Sequence, residues 1–234
     1  PSTVHWHGLR LDNRSDGVPG LTQAPVNTGE SFLYQVHFPD AGVYWYHPHV
    51  REDIEQSMGL YGNMLVDSPD PGYYSPVNRE QSLVLSDLLI NADTLVHFGK
   101  EAVDFALMGR VGNVLLVNGE PNWSLEAKRG EVVRFYLTNV SNSRTYNLSL
   151  SGVPMKIVAS DVSRFEREEW VQSVVLAPAE RYVIEARFDR PGRYALINAI
   201  QAINHFAGEF EAQVDTLGMV TVGVAPARPD FGGQ

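Results

Sequence analysis

The chain is 234 residues long and 44% hydrophobic, which allows one large domain or two modest domains with a substantial core. Its formal net charge is −10 and it has no Lys/Arg run, so we expect neither a nucleic-acid partner nor a membrane partner. No apolar stretch approaches the roughly 20 residues that cross a bilayer.

Short runs of β-forming residues recur between turn-forming Gly, Pro, Asn and Asp residues, among them GVYWYHPHV, SLVLSDLLI, VVRFYLTNV and RYALINAI. This spacing predicts an antiparallel all-β sandwich rather than alternating β and α units. Residues 31–38, SFLYQVHF, alternate between two faces and are predicted to form a strand with one face inward. The best helix candidate is residues 91–108, which carry a rough helical stripe of apolar side chains.

A change of composition at residues 68–80 divides the chain, because three prolines and a glycine there separate two β-rich regions. We predict a first domain at residues 1–68, a linker at 69–80, a second domain at 81–224 and a Pro/Gly-rich linker at 225–234. A closed β-sandwich needs about 100 residues, so we expect the first domain to be incomplete in this chain.

Four of the seven histidines form two His-x-His pairs, His5 with His7 and His47 with His49. Residues i and i+2 of a strand face the same side about 6.6–6.8 Å apart, so each pair presents two imidazoles to one surface. Two such strands side by side would form a face of four imidazoles. A nitrogen ligand lies about 2.0–2.1 Å from zinc, so two neighbouring ions bridging the strands fit better than one ion chelated by an extended pair.

The spacing of these histidines leaves the identity of the metal open. Imidazole suits Zn, Cu, Fe and Ni, and copper(II) leads the affinity order among divalent ions. A lone histidine is most often a structural residue, but two pairs accompanied by Trp6 and Trp45 favour a metal site. We interpret the two tryptophans as packing walls, because large aromatic side chains usually supply buried area.

The residues around the histidines resemble those of a known family. Residues 2–67 resemble domain one of laccase-like multicopper oxidases in the phrases HWHGL, DGVPGLTQAPV, PDAGVYWYHPHV and MGLYGNMLVD. The second region is similar to the copper-free middle domain of that family in LLVNGEPNWSL, GEVVRFYLTNVSNSRTYNLSLSG, KIVASD, APAERYVIEARF and PGRYALINA. The resemblance implies cupredoxin-like Greek-key β-sandwich domains and covers nearly the whole chain.

The resemblance also implies a role for each histidine. His5 resembles the domain-one ligand of the type 2 copper, and His7, His47 and His49 resemble ligands of the type 3 copper pair. In the family these coppers form the cluster that reduces dioxygen to water. Asp16 resembles the acidic residue that assists proton delivery near the type 2 site, which suits a reaction that consumes protons. The alternative interpretation of Asp16 is a residue of an Asp-Gly turn.

Two motifs of the family do not occur in this chain. A complete oxidase has a third domain with a His-x-x-His-x-His phrase and a His-Cys-His phrase, and neither is present. A blue, type 1 copper site depends on a cysteine thiolate, and the chain contains no cysteine. We therefore expect half of the cluster's histidine ligands to come from a missing third domain and the chain alone to be inactive.

The resemblance favours an oxidase that takes single electrons from a small reducing substrate, namely a phenol, an aromatic amine or a metal ion, and passes them to dioxygen. It also implies a periplasmic or extracellular location, with any export signal outside this chain. The alternative function is a non-catalytic β-sandwich module that binds copper or zinc through the four histidines. Completion of the cluster by another subunit is a third possibility.

Other residues with metal-binding side chains are predicted to be structural. His37, His97 and His205 lie outside any matching motif and are assigned to structural or surface positions. Met58 and Met64 belong to no Met-rich cluster and are predicted to lie in the core around the strand GLYGNM.

Overall fold

The fold is almost entirely β, which confirms the predicted class. A computed structural model describes residues 1–98, 109–204 and 209–232. These residues contain one four-residue α-helix, α1 (Glu52–Glu55), and one 3-10 turn (Asn13–Ser15). Within the described part of the chain, no helix is long and apolar enough to span a membrane.

The strands of the described residues form sheets of three, six, five and two strands. In chain order they are β1 (Val4–His7), β2 (Gly42–Pro48), β3 (Gly62–Val66), β4 (Arg79–Leu88), β5 (Ile90–Asn91), β6 (Thr94–Leu95), β7 (Val114–Val117), β8 (Trp123–Arg129), β9 (Glu131–Asn139), β10 (Tyr146–Leu150), β11 (Met155–Ser160), β12 (Ser163–Val171), β13 (Val174–Leu176), β14 (Arg181–Phe188), β15 (Gly192–Asn204) and β16 (Glu209–Pro226).

The main core lies between the six-stranded sheet, in the order β12-β11-β14-β9-β4-β7, and the five-stranded sheet, in the order β13-β10-β15-β16-β8. The alternation of β9 determines which side chains enter this core. Val133, Phe135 and Leu137 are buried in it, as their spacing predicts. The intervening residues Arg134 and Tyr136 therefore face the outer side of the six-stranded sheet.

This outer face carries a ladder of alternating charges across five strands. Lys156, Glu185 and Arg134 lie in register on β11, β14 and β9. The Lys156 Nζ lies 3.0 Å from Glu185 Oε2, and Arg134 Nη2 lies 2.6 Å from Glu185 Oε1. Glu168 and Glu80 extend the ladder at its two ends, at 2.8 Å and 2.7 Å from their partners. An unpaired buried charge costs several kcal/mol of stability. Each buried charged side chain of this ladder therefore depends on the opposite charge of its neighbour.

The three-stranded sheet β1-β2-β3 packs against the same outer face. Val43 of β2 belongs to a buried cluster with Tyr136, Val158 and Val183 from the six-stranded sheet. Its backbone N–H also donates to the Asp161 carbonyl oxygen at 2.9 Å. The first sheet therefore packs on a surface formed by the second region.

A second set of contacts joins α1 and its C-terminal turn to the second region. The buried Gln56 side chain donates through Nε2 to the Val140 carbonyl oxygen at 2.6 Å. Asn142 donates through Nδ2 to the Asp53 carbonyl oxygen at 3.0 Å and to Ser57 Oγ at 2.8 Å. Because α1 begins three residues after His49, these bonds fix the segment that follows the second histidine pair.

One predicted strand does not form. Residues 31–38 form no strand in the described part of the chain, so the prediction of a strand there is wrong. One side chain of this alternating segment, Tyr34, instead points toward β1. The Tyr34 hydroxyl accepts a hydrogen bond from the Val4 N–H at 3.0 Å, and its ring packs against Trp6.

The predicted helix at residues 91–108 is also wrong where the structure describes it. β5 and β6 form a two-residue hairpin there, with Ala92 and Asp93 at positive φ of 46° and 66°. A right-handed helix cannot pass through two such residues. Residues 99–108 lie outside the described residues.

Candidate metal centre

The register of β1 and β2 brings the two His-x-His pairs onto one face. His5 lies directly opposite His47, and His7 lies opposite Trp45. Both strands are rich in β-branched and aromatic residues, which suit a pleated and partly buried surface. Since side chains alternate along each strand, His5, His7, Trp45 and His47 project to the same side. This is the side that packs on the second region at Val43.

Three histidines bring ligand nitrogens together. One nitrogen each from His5, His7 and His47 lies within 4.8 Å of the others. The shortest separation joins His7 Nδ1 and His47 Nε2, at 3.3 Å. Two nitrogens bound to the same ion at about 2.0–2.1 Å are at most roughly 4.2 Å apart. The three nitrogens can therefore bind one ion if the side chains move slightly closer together, or two neighbouring ions as they stand. An all-imidazole donor set suits copper.

His49 lies beside this group rather than within it. Its ring centroid is 5.5 Å from that of His5 and 6.1 Å from that of His47. Its backbone N–H donates to the Thr3 carbonyl oxygen at 3.2 Å, which extends the pairing of β1 and β2 past the end of both strands. Its Nε2 is 3.9 Å from the Glu52 carboxylate at the start of α1.

Hydrogen bonds orient two of the imidazoles. The Nδ1 of His5 lies 2.8 Å from the Asp16 carbonyl oxygen and 3.3 Å from its carboxylate. The Nδ1 of His47 lies 2.8 Å from the Pro48 carbonyl oxygen. Only a protonated Nδ1 can donate to these oxygens, so each bond leaves the Nε2 lone pair free for a metal.

Trp45 packs against two of the three converging rings. Its side chain stacks on His7 at a centroid distance of 4.8 Å and on His47 at 4.3 Å, with interplanar angles of 26° and 30°. Its indole N–H is buried without an acceptor among the described residues. Stacking rather than hydrogen bonding therefore defines its place in the site.

The surroundings keep the buried imidazoles neutral. Burial lowers the pKa of His7 to about 3, and the positive charge of Arg181 is the next largest cause. Burial also lowers the pKa of His47, against the opposing effect of its bond to the Pro48 carbonyl. A neutral imidazole has a lone pair, so both rings are in the form that binds a metal at physiological pH.

The structure brings together the residues that the sequence analysis selected and adds others. The four histidines share one face, and Asp16 contacts His5 directly. Sequence reasoning did not find Arg181, which comes from β14 and has no local motif that marks it. It did not find the Glu52 contact with His49 either, although a spacing of three residues across the start of α1 was a usable signal.

The remaining assignments divide between correct and wrong. Trp45 is a packing wall, since only 2% of its surface is exposed. Met58 is 65% exposed, so its predicted place in the core is wrong, whereas Met64 is half-buried in β3. His37 and His97 are exposed and lie away from the converging rings. His205 lies outside the described residues.

Comparison with known proteins places the chain in a family. A family model described as multicopper oxidase matches residues 1–71, and a second model with the same description matches residues 80–217. The chain belongs to the multicopper oxidase family, a family of copper-binding proteins. The first match ends and the second begins within the proline-rich segment at residues 68–80 noted above.

Individual relatives support this assignment. Laccase-3 from Trametes villosa is 29% identical over 223 residues, and multicopper oxidase MmcO from Mycobacterium tuberculosis is 30% identical over 211 residues. These alignments cover 88% and 78% of this chain but only 41% and 40% of the relatives. The chain therefore spans about two fifths of the length of the curated relatives it matches.

The fold agrees with a solved structure. The crystal structure of a multi-copper oxidase from Pseudomonas thermotolerans matches with a TM-score of 0.81 and 31% identity. The match covers 97% of this chain and 52% of that chain. It confirms the expected cupredoxin-like fold.

Proposed function

We propose that this chain supplies half of the ligands of a trinuclear copper centre in an oxidase that reduces dioxygen to water. The observation that carries the proposal is the convergence of three imidazole nitrogens on the face formed by β1 and β2. Family membership and the donor set support copper, and the low pKa of His7 supports a site ready to bind it. Copper held there supplies one-electron redox chemistry and a place for dioxygen to bind.

Each histidine has a separate proposed role. His5 is assigned to the type 2 copper because it resembles the family's domain-one ligand of that ion, and Asp16 orients its ring. His7, His47 and His49 are assigned to the type 3 pair. The facing Nδ1 of His7 and Nε2 of His47, 3.3 Å apart, have the separation of two ligands of one ion, and His49, which lies beside this group, would serve the second ion of the pair.

Asp16 is proposed to relay protons to the type 2 side. Its carboxylate lies 3.3 Å from His5 Nδ1 and is partly exposed, so it can exchange protons with solvent while contacting the histidine face. The Asp16 N–H also donates to the Asn13 carbonyl oxygen at the end of the 3-10 turn, which supports the turn interpretation. In the complete parent oxidase, Asp16→Asn should lower dioxygen consumption by about 100-fold or more with unchanged copper content. Unchanged turnover would refute the relay.

The parent protein is proposed to be longer than this chain. We propose a first domain at residues 1–68, a linker at 69–80, a second domain at 81–224 without copper ligands and a linker at 225–234. A third domain would contribute the other histidines and the cysteine of a type 1 site, since this chain has no cysteine. The parent would oxidise a phenol, an aromatic amine or a metal ion, in the periplasm or outside the cell.

Copper binding by the chain is the direct test. We expect the 234-residue chain to bind copper with all four histidines present and to lose that binding in the double variant His47→Ala/His49→Ala. The matched control is His37→Ala/His97→Ala, which removes two exposed histidines outside the site. Equal copper stoichiometry and affinity in both double variants would overturn the assignment. Robust oxidation of a phenolic dye by the copper-loaded chain alone would show that no further domain is needed.

A further inference from the structure

We propose that Arg181, from the second region, is a positioning residue of the copper centre. It fixes the backbone beside His7 and Trp45 and places a positive charge next to the histidine face. The inference rests on the proposed copper centre and adds a contribution from the middle domain, which supplies no copper ligand of its own.

Arg181 extends from β14 into the first sheet. Its Nε donates to the Val43 carbonyl oxygen at 2.8 Å, a bond between the two regions of the chain. Its Nη1 donates to the Ala179 carbonyl oxygen at 3.0 Å and lies 2.8 Å from the Asp161 carboxylate. Asp161 in turn accepts the Val43 N–H through its carbonyl oxygen. Arg181 and Asp161 thus hold both backbone groups of Val43, two residues before Trp45.

The guanidinium also occupies the space beside Gly8, the residue that follows His7. A Cβ atom on Gly8 would overlap Nη2 of Arg181, and the φ of +83° at Gly8 is one that side-chain-bearing residues rarely adopt. The glycine of the HWHG phrase therefore lets the second region approach the end of β1 directly.

The charge of Arg181 is only partly compensated. Its side chain is 6% exposed, whereas its partner Asp161 is 45% exposed and screened by solvent. Burial lowers the pKa of Arg181, which reflects the cost of placing this cation in the interface. A fixed positive charge opposes further positive charge nearby. Arg181 therefore favours copper(I) over copper(II) at the histidine face.

Arg134 offers a matched control for an effect of burial alone. It lies on the outer face of the same sheet, its side chain is 4% exposed, and it is bound by Glu185 and Glu80. Among the described residues its guanidinium donates to Glu185, to Glu80 and to the Ser75 carbonyl oxygen, and to no residue of β1 or β2. Substitution of Arg134 should therefore remove a buried cation while leaving the charge at the histidines and the backbone bonds of Val43 in place.

The first experiment measures the affinities of the chain for copper(I) and copper(II) by competition with chelators. Arg181→Met should shift the ratio of the two affinities toward copper(II) by about tenfold, which is about 59 mV for a one-electron couple. Arg181→Lys keeps the charge and should stay within about threefold of the unsubstituted chain. Arg134→Met and Arg134→Lys should leave the ratio unchanged. An unchanged ratio in Arg181→Met would overturn the electrostatic part of the proposal.

The second experiment needs no metal and tests the positioning. Amide hydrogen exchange in β2 should accelerate by about tenfold or more at Tyr44 and Trp45 in both Arg181 variants, because neither can form the bond to the Val43 carbonyl with the same geometry. The Arg134 variants should not accelerate exchange there. Equal exchange in all variants would overturn the positioning role. If the unsubstituted chain binds no copper, the proposed function fails, and the exchange data alone decide the role of Arg181. If Arg181→Met does not fold, Arg181→Lys decides it.

Discussion

His5 and His47 face each other across β1 and β2, with ring centroids 5.3 Å apart. This pairing brings two motifs separated by some forty residues onto one face, the candidate metal-binding face. A slip of one residue would place Trp6 opposite His47 and send His5 and His7 to the other side of the sheet. The register of two short strands is therefore as important to the site as the histidines themselves.

Replacement of Trp45 by Phe should weaken both the fold and copper binding. The smaller ring loses part of the stacking on His7 and His47 but no hydrogen bond. We expect a loss of about 1–3 kcal/mol in the free energy of unfolding and of about tenfold in copper affinity. Trp123→Phe, in the main core, is the control and should lower stability without changing copper affinity. Similar copper affinities in the two variants would contradict a role for Trp45 in orienting the imidazoles.

Copper should raise the melting temperature of the chain through the histidine face. At free copper about 100 times the dissociation constant, binding to the folded state adds about 2.7 kcal/mol of stability. For a chain of this size that corresponds to roughly 5–10 °C. The shift, measured by calorimetry, should disappear in His47→Ala/His49→Ala and persist in His37→Ala/His97→Ala. A shift retained in the first double variant would place the bound copper elsewhere.

Asp16→Asn should leave copper binding to the isolated chain nearly intact. The backbone carbonyl of Asp16 lies closer to His5 Nδ1 than its carboxylate does, at 2.8 Å against 3.3 Å, and the substitution keeps that carbonyl. We therefore expect a change well below the roughly 10-fold to 100-fold that follows loss of an orienting partner. Asp12→Asn, in the same turn but outside the site, is the control. A loss of tenfold or more in Asp16→Asn, measured by competitive titration, would show that the carboxylate itself orients His5.

Stability should fall between pH 10 and pH 12 because of Tyr74. Burial raises the pKa of Tyr74 to about 12, although the Arg134 guanidinium over its ring opposes the shift. In the unfolded chain the phenol ionises near pH 10, so the unfolded state loses its proton first as the pH rises. The contribution of Tyr74 is complete below pH 10 and should decline by about 1 kcal/mol by pH 11. Urea unfolding should show a smaller decline in Tyr74→Phe, and an identical decline would contradict this origin.

Alternation along strands predicts much of this molecule because it follows from backbone geometry alone. The inward positions of β9 and the shared face of His5 and His7 are both consequences of the two-residue period. The failed strand at residues 31–38 has the same alternation, but the Tyr34 hydroxyl, not a neighbouring backbone, meets the Val4 N–H. Sequence alone does not show which partner an extended segment has.

Long-range contacts account for what the sequence did not reveal. Arg181 lies 138 residues from Val43 in the chain, and nothing near it in sequence indicates that it faces the histidines. Residues 163–171 form the strand β12 at the edge of the six-stranded sheet. Almost all of its side chains are exposed, so it lacks the buried alternate positions that mark the other strands.

The cluster of Val43 with Tyr136, Val158 and Val183 has a consequence for how the two regions can vary. Most members of this cluster belong to the second region. Residues that do not contact the histidines therefore determine how β2 lies on the six-stranded sheet. A chimaera that exchanged the second region between relatives would also replace the residues that pack beneath β2. We therefore expect β1, β2 and the six-stranded sheet beneath them to vary together between relatives, and a substitution at Val183 to affect the orientation of His47.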